Sequence, residues 1–139
     1  MGTYIEFIST PTSVNPDTPN INVVPATLDQ NRDVMAYQRL DLEVVVYSLS
    51  LDANGEITLH IDTAMQNQTD TGAQGFWNSA GSIVLQAPDT NPVWTGAFSV
   101  GASTVPLLRY ARWRFEATGT GEEGGTALVV LRGVARDRV

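Results

Sequence analysis

Apolar and polar residues alternate with a period of two along much of this 139-residue chain. The alternation is clearest where apolar residues occupy positions 40, 42, 44 and 46, positions 57, 59 and 61, and positions 111, 113, 115 and 117. This period places apolar side chains on one face of a β-strand. No stretch of about 12 residues has the 3.6-residue period of an amphipathic helix. Because successive strands without intervening helices pair antiparallel, the sequence predicts an all-β, antiparallel, jelly-roll-like β-sandwich of about seven or eight strands.

Two turn signals predict how neighbouring strands connect. The sequence Asp-Ala-Asn-Gly at 52–55 separates the apolar runs at 40–46 and 57–61, and Asn and Gly tolerate the positive φ of tight turns. These two runs are therefore predicted to form a hairpin. The glycine-rich stretch 119–125 is predicted to join the last two strands as another hairpin loop.

The segment 10–33 is the most unusual part of the chain, because it carries four prolines with Asn, Asp, Ser and Thr between them. Proline removes a backbone donor and restricts φ, so this segment is not expected to form a central strand. It is predicted to be an extended arm or long loop within one domain, residues 1–139, with an edge strand at 1–9 and the main sandwich at 34–139. The prolines are Pro11, Pro16, Pro19 and Pro25.

The charge of the chain argues against two classes of partner. The formal net charge is -7, and all eight basic residues are arginine. A nucleic-acid-binding protein needs a basic face that neutralises phosphates, so nucleic acid is not expected as a partner. No apolar run approaches the roughly 20 residues that a helical membrane span requires, so a membrane is not expected either.

The arginines are concentrated near the C-terminal end. Six of them follow residue 108, against four acidic residues, whereas two arginines face eleven acidic residues before that point. Arg112, Arg114 and Glu116 alternate with the apolar positions of their strand and are predicted to point outward. Arg112 and Arg114 would then pair with carboxylates of a partner or a sister subunit, which bidentate arginine geometry suits. The alternative is that they only balance acidic residues within the fold.

The residues favour no catalytic, metal or cofactor site, and the chain is predicted not to be an enzyme. There is no cysteine, and His60 is the only histidine, which excludes the usual zinc ligand sets. His60 is predicted to be a solvated or hydrogen-bonded surface residue. Asp41 and Glu43 lie two apart on a predicted outward strand face, where the simpler interpretation is surface charge and not a glycosidase pair.

The aromatic residues allow two interpretations. Trp94 and Trp113 alternate with predicted core positions and are expected in the core. Phe76 and Trp77 lie in a polar segment near glycines. Aromatic side chains in such a loop can stack on sugars or anchor a protein interface, and the alternative is that this pair folds back to close one end of the sandwich.

The final part of the chain resembles a known class of viral proteins. The segment 108–120, LRYARWRFEATGT, leads through a glycine-rich loop into the apolar strand TALVVLRGVAR at 126–136. With the short first strand and the proline-rich segment, this pattern resembles the cement or decoration proteins of tailed-bacteriophage heads. The resemblance implies a jelly-roll-like fold, no catalytic residues, and a homodimer or homotrimer that binds the major capsid protein on the capsid exterior after synthesis in the host cytoplasm.

These observations lead to one functional hypothesis and one alternative. The first is a non-catalytic virion protein that cements neighbouring capsid subunits. The alternative is a carbohydrate- or protein-binding sandwich module of a tail fibre or a secreted enzyme. Deletion of residues 1–33 is expected to leave a folded sandwich but to weaken its binding to the capsid. The candidate interface residues are Pro11, Pro16, Pro19, Pro25, Phe76, Trp77, Arg112 and Arg114.

Overall fold

A computed structural model of the chain describes residues 2–18, 20–68, 77–101 and 105–137. Within these ranges the chain forms β-strands and one 3₁₀ turn at Leu28–Gln30, and it contains no α-helix. This confirms the predicted all-β class. The strands are β1 (Gly2–Val14), β2 (Asn22–Val23), β3 (Arg32–Asp33), β4 (Tyr37–Leu51), β5 (Ile57–Ala64), β6 (Asn78–Val84), β7 (Trp94–Val100), β8 (Tyr110–Ala117) and β9 (Gly125–Asp137).

The described ranges include no helix with the length and apolar character needed to cross a membrane.

The strands form two antiparallel sheets that pack as a sandwich. The first sheet has the order β1-β9-β4-β7 and the second has the order β2-β8-β5-β6, with β3 also paired to β8. The pairs are nested along the chain, because β1 pairs with β9, β2 with β8, β4 with β7 and β5 with β6. A chain folded once into a long hairpin and then rolled up gives this nesting. It is the eight-stranded jelly roll, which confirms the predicted fold class.

The core lies between the two sheets. It contains the apolar side chains that the period of two predicted to face inward. Leu40, Leu42, Val44 and Val46 of β4 are buried, as are Ile57, Leu59 and Ile61 of β5 and the apolar positions of β8. Trp113 packs in this core at 5.4 Å between ring centroids from Phe115, and Trp94 is half-buried against it. The inward faces of these strands were therefore correctly predicted from sequence.

The two predicted hairpins are wrong. Asn54 does adopt a positive φ of 62°, as expected of the turn at 52–55. However, β4 belongs to the first sheet and β5 to the second, so the turn crosses the sandwich instead of joining hydrogen-bonded neighbours. The loop between β8 and β9 crosses in the same way. Alternation determines which face of a strand is buried, but it carries no information on the neighbouring strand.

The segment 10–33 is not a single extended arm or loop. Residues 10–14 continue β1, the edge strand of the first sheet. The register of β1 shifts between Ile8 and Thr12, and Pro11 lies in this irregular stretch, where an edge strand tolerates a missing donor. Residues further along cross to the second sheet and pair with β8 through β2 and β3.

The other predicted interface prolines differ in their surroundings. Pro16 is buried, and its carbonyl oxygen accepts a hydrogen bond of 3.3 Å from the Gly125 amide. Pro25 is half-buried over the second sheet. Pro19 lies outside the described residues.

Candidate functional site

Two arginines and one aspartate form a buried ionic cluster on the outer face of the second sheet. Arg112 and Arg114 have only 1% and 2% of their side chains exposed, and Asp62 of β5 has none. The Asp62 Oδ2 atom accepts hydrogen bonds from Arg112 Nε at 3.1 Å and Arg114 Nε at 2.9 Å. Both arginines lie on the face away from the core, as predicted, but the prediction that they are available to carboxylates of a partner is wrong. In this form of the molecule they neutralise a carboxylate of their own chain.

A cover formed by residues 22–31, Gln68 and Trp77 hides this cluster from solvent. Arg114 donates from Nη1 to the Asn22 side chain at 2.9 Å. The guanidinium carbon of Arg112 lies 4.5 Å from the centroid of the Trp77 ring, in a cation–π contact. A cleft of about 260 Å³ remains between the cover and the sheet, and Pro25, Gln68 and Arg112 are among its lining residues.

Trp77 is not available as a surface platform. Its side chain is fully buried, and its Nε1 atom donates a hydrogen bond of 3.1 Å to the carbonyl oxygen of Gln68. The interpretation of Trp77 as an exposed residue that stacks on sugars or on a partner is therefore wrong. Phe76 lies outside the described residues.

His60 extends the polar cluster along β5, and its side chain is largely buried, with 16% exposed. Its Nε2 atom lies 2.9 Å from Glu116 Oε1 and its Nδ1 atom lies 3.1 Å from the Ser79 hydroxyl. A neutral ring that donates from Nε2 and accepts at Nδ1 satisfies both partners. Burial lowers the pKa of His60, and the positive charge of Arg114 lowers it further, against the opposing effect of Glu116.

The lowered pKa of His60 makes the stability of the fold depend on pH. As the pH is lowered through the ordinary histidine pKa of 6.5, His60 becomes protonated in the unfolded chain at a higher pH than in the folded chain. The free energy of unfolding is therefore expected to be highest above that pH and to fall as the pH decreases, by at most about 1.4 kcal/mol per pH unit from this residue. Denaturant unfolding at a series of pH values measures it.

The matched control for this prediction is His60→Gln, which keeps one donor and one acceptor but does not titrate. The variant is expected to show a flatter pH dependence than the original chain just below the ordinary histidine pKa. Parallel curves for the two proteins would contradict the assignment of this titration to His60.

Asp41 and Glu43, considered above as a carboxylate pair, are each held by arginine on the open outer face of the first sheet. Asp41 accepts a hydrogen bond of 2.7 Å from the Ser99 hydroxyl and one of 2.9 Å from Arg136. Those two hydrogen bonds, with a further one from Arg39, lower the pKa of Asp41 to about 2. A carboxylate with so low a pKa holds its charge and does not serve as a general acid near neutral pH. Among the described residues no cluster of potential metal ligands is found.

The exposed arginines of this open face were not identified from the sequence. The side chains of Arg39, Arg132 and Arg136 are 50%, 47% and 47% exposed. Val45 and Val130 lie beside each other in the register of the same sheet, and they are buried without belonging to the core cluster between the sheets. Arg39, Arg132 and Arg136 alternate with core positions along β4 and β9. This alternation was the sequence signal that could have placed the three arginines on the surface.

Comparison with known families and with curated proteins finds no match for this chain. Among solved structures, the chain is similar to the VP2 protein of the infectious bursal disease virus subviral particle, with a TM-score of 0.52 and 7% identity. The match covers 99% of this chain and 32% of that chain, so the present sequence spans about a third of the length of the viral protein. A carbohydrate-binding module, CBM28, specific for non-crystalline cellulose, also matches, with a TM-score of 0.40, 8% identity and coverage of 85% and 72% of the two chains. At these identities the likeness concerns the fold alone: the chain has a β-sandwich of the kind found in a viral capsid protein.

Proposed function

We propose that this chain is a non-catalytic structural protein of a virion, which binds the exterior of a tailed-phage capsid and cements neighbouring major capsid subunits. The observation that carries the proposal is the complete eight-stranded jelly roll, whose similarity to a viral capsid protein extends over 99% of the chain. The C-terminal sequence pattern described above, which resembles phage decoration proteins, is a second support. In the proposal the protein self-associates as a dimer or trimer.

The surfaces of the two sheets favour one face for the contact with the capsid. The outer face of the second sheet carries the cover over its buried arginines, whereas the first sheet presents Arg39, Arg132 and Arg136 to solvent. Each of these arginines pairs with Asp41 or Glu43 of its own face, in exposed ion pairs that contribute little stability. In the proposal these pairs open, and the arginines form bidentate pairs with carboxylates of the capsid subunits instead. A cement protein repeats its contact many times over a shell, so each contact needs only modest affinity.

Binding to capsids tests the proposal, with heads assembled from the major capsid protein of the same genome. The chain is expected to co-sediment with these heads in a saturable manner. Arg132→Ala is expected to weaken binding about threefold to tenfold at roughly 0.01 M salt and less at about 1 M, where charges are screened. Absence of co-sedimentation would contradict the proposed function. A loss of binding in Arg132→Ala that does not depend on salt would contradict an ionic contact through the first sheet.

Arg109→Ala is the matched control for this experiment. Its side chain is 49% exposed and pairs with Asp33 at 3.6 Å, much as Arg132, 47% exposed, pairs with Glu43 at 3.3 Å. Arg109 does not lie in the first sheet, so its removal is expected to leave capsid binding unchanged. Equal losses from both variants would indicate a general effect of charge and not a contact through the first sheet.

A further inference from the structure

The N-terminal strands of this molecule are joined to the rest of the sandwich by a weakly packed connection. The connection is residues 24–31, which we term the hinge, between β2 and β3. None of its side chains is buried, and Leu28 is 37% exposed. The cleft of about 260 Å³ lies beneath it. A segment with so few buried contacts opens locally at a small fraction of the free energy of global unfolding.

Hydrogen bonds join side chains or backbone of the hinge to the residues beyond it through Asn31, Asn67 and Arg32. The Asn31 side chain donates to Asn67 Oδ1 at 2.7 Å, and Asn67 donates in turn to the carbonyl oxygen of Leu28 at 3.0 Å. Arg32 donates to the carbonyl oxygen of Asp29 at 3.3 Å. Further hydrogen bonds lie within the hinge itself, from the Ala26 amide to the Gln30 side chain and in the two backbone bonds of the 3₁₀ turn. Net hydrogen-bond energies of about 1 kcal/mol each do not fix such a segment in one conformation.

The element that precedes the hinge, by contrast, is inserted deeply in the sandwich. In residues 2–23, β1 supplies Phe7, Ile8 and Val14 to the core and pairs along its length with β9. Strand β2 pairs with β8. Every one of these contacts joins the element to the part of the chain beyond the hinge, so an identical element from another copy would satisfy the same partners.

We propose that residues 2–23 are exchanged between two copies of this chain, so that β1 of each copy completes the first sheet of the other. This inference rests on the self-association in the proposed function and names the surface through which it occurs. Exchange reproduces the contacts of the element named above and rearranges the hinge, with the hinge's part of the cover over Arg112. Because few contacts are lost, it is a low-cost route to a dimer. Fully extended, the eight-residue hinge reaches about 26–29 Å, which is comparable with the width of a small domain.

An exchanged dimer differs from a surface-contact dimer in its kinetics. Dissociation requires β1 to leave the sheet, with Phe7, Ile8 and Val14 withdrawn from the core. The dimer is therefore expected to persist after dilution, whereas a dimer held by surface side chains re-equilibrates rapidly.

A disulfide between β1 and β9 identifies which copy supplies β1. Tyr4 and Val134 are directly opposed in the register of these strands, and opposed residues of antiparallel strands have Cα atoms about 4.5–5.5 Å apart, within disulfide range. Since the chain has no cysteine, Tyr4→Cys/Val134→Cys introduces a single pair. The control is Glu43→Cys/Ala97→Cys, a directly opposed pair between β4 and β7, both beyond the hinge.

The dimer fraction of each variant is isolated by size exclusion, oxidised and run on a denaturing, non-reducing gel. For Tyr4→Cys/Val134→Cys we expect a covalent dimer, and for Glu43→Cys/Ala97→Cys a covalent link only within each chain. A dimer fraction whose Tyr4→Cys/Val134→Cys chains run as monomers would overturn the exchange but leave self-association standing. A chain that stays monomeric at every concentration would overturn both, and capsid co-sedimentation reports independently on the cement function.

A mixture of two single-cysteine variants tests the exchange if the double-cysteine variant folds poorly. Tyr4→Cys and Val134→Cys are refolded together from denaturant and oxidised. Both positions are at least partly exposed, so neither substitution empties the core. A disulfide between the two chains is expected with exchange, and its absence from a dimer that forms normally would again overturn it.

Discussion

Deletion of residues 1–33 is expected to abolish cooperative folding of this chain. The structure thereby reverses the expectation drawn from the proline-rich sequence, that the remainder would stay a folded sandwich. The deletion removes β1, β2 and β3, and with them Phe7, Ile8 and Val14 from the core. Burial of side chains of this size contributes about 1.5–3 kcal/mol each. The three together therefore approach the whole free energy of unfolding of a typical domain, about 5–15 kcal/mol.

The deletion also exposes new edges in both sheets. In the intact chain β9 is paired with β1, so without β1 it would present an unpaired apolar edge. Strand β8 would lose its pairing with β2 and β3. Exposed edges of this kind promote aggregation. Circular dichroism and denaturant unfolding are expected to show a disordered or aggregated product.

Deletion of residues 1–3 is the control for the large truncation. It removes only the exposed start of β1 and retains its core side chains, so a cooperative transition is expected to remain. A cooperative transition of normal amplitude in the chain lacking residues 1–33 would show that the N-terminal strands are dispensable for the sandwich. It would also remove the basis for strand exchange.

Asp62→Asn is expected to destabilise the chain by about 3–5 kcal/mol. The substitution keeps the shape of the side chain but leaves the buried guanidinium groups of Arg112 and Arg114 without the carboxylate that both contact. A buried charge that loses its counter-charge retains its full desolvation cost. The free energy of unfolding in urea, compared with that of the original chain, measures the effect.

Glu43→Gln is the matched control, because it removes the carboxylate of an ion pair whose two side chains are 43% and 47% exposed. Such surface pairs contribute about 0–1 kcal/mol. Similar losses for Asp62→Asn and Glu43→Gln would contradict the buried cluster.

Replacement of the whole cluster separates charge from packing. Asp62→Leu/Arg112→Met/Arg114→Leu removes all three charged groups and leaves apolar side chains beneath the cover. Because the cluster then buries no charge, this variant is expected to be at least as stable as the original chain. A loss as large as that of Asp62→Asn would indicate that the hydrogen bonds of the cluster, including Arg114 to Asn22, hold the cover in place.

The class of the fold and the buried face of each long strand follow from the sequence alone. Alternation with a period of two is a local property, set by the geometry of an extended backbone. The inward positions of β4, β5 and β8 could therefore be assigned from neighbouring residues. The turn at 52–55 was also recognisable, since Asn54 adopts the positive φ that its residue type tolerates.

The tertiary structure decided what each outward face meets. Arg112 and Arg114 alternate with core positions as any surface residues do, yet residues far away in the chain cover them, with Asn22 on one side and Trp77 on another. The same long-range packing made β4 and β5 members of different sheets and placed the proline-rich segment on its own sandwich. Strand pairing and the burial of an outer face both bring together residues that are distant along the chain, whereas a local pattern specifies only the direction of each side chain. For that reason the folded structure was needed to tell a solvent-exposed arginine from a buried one.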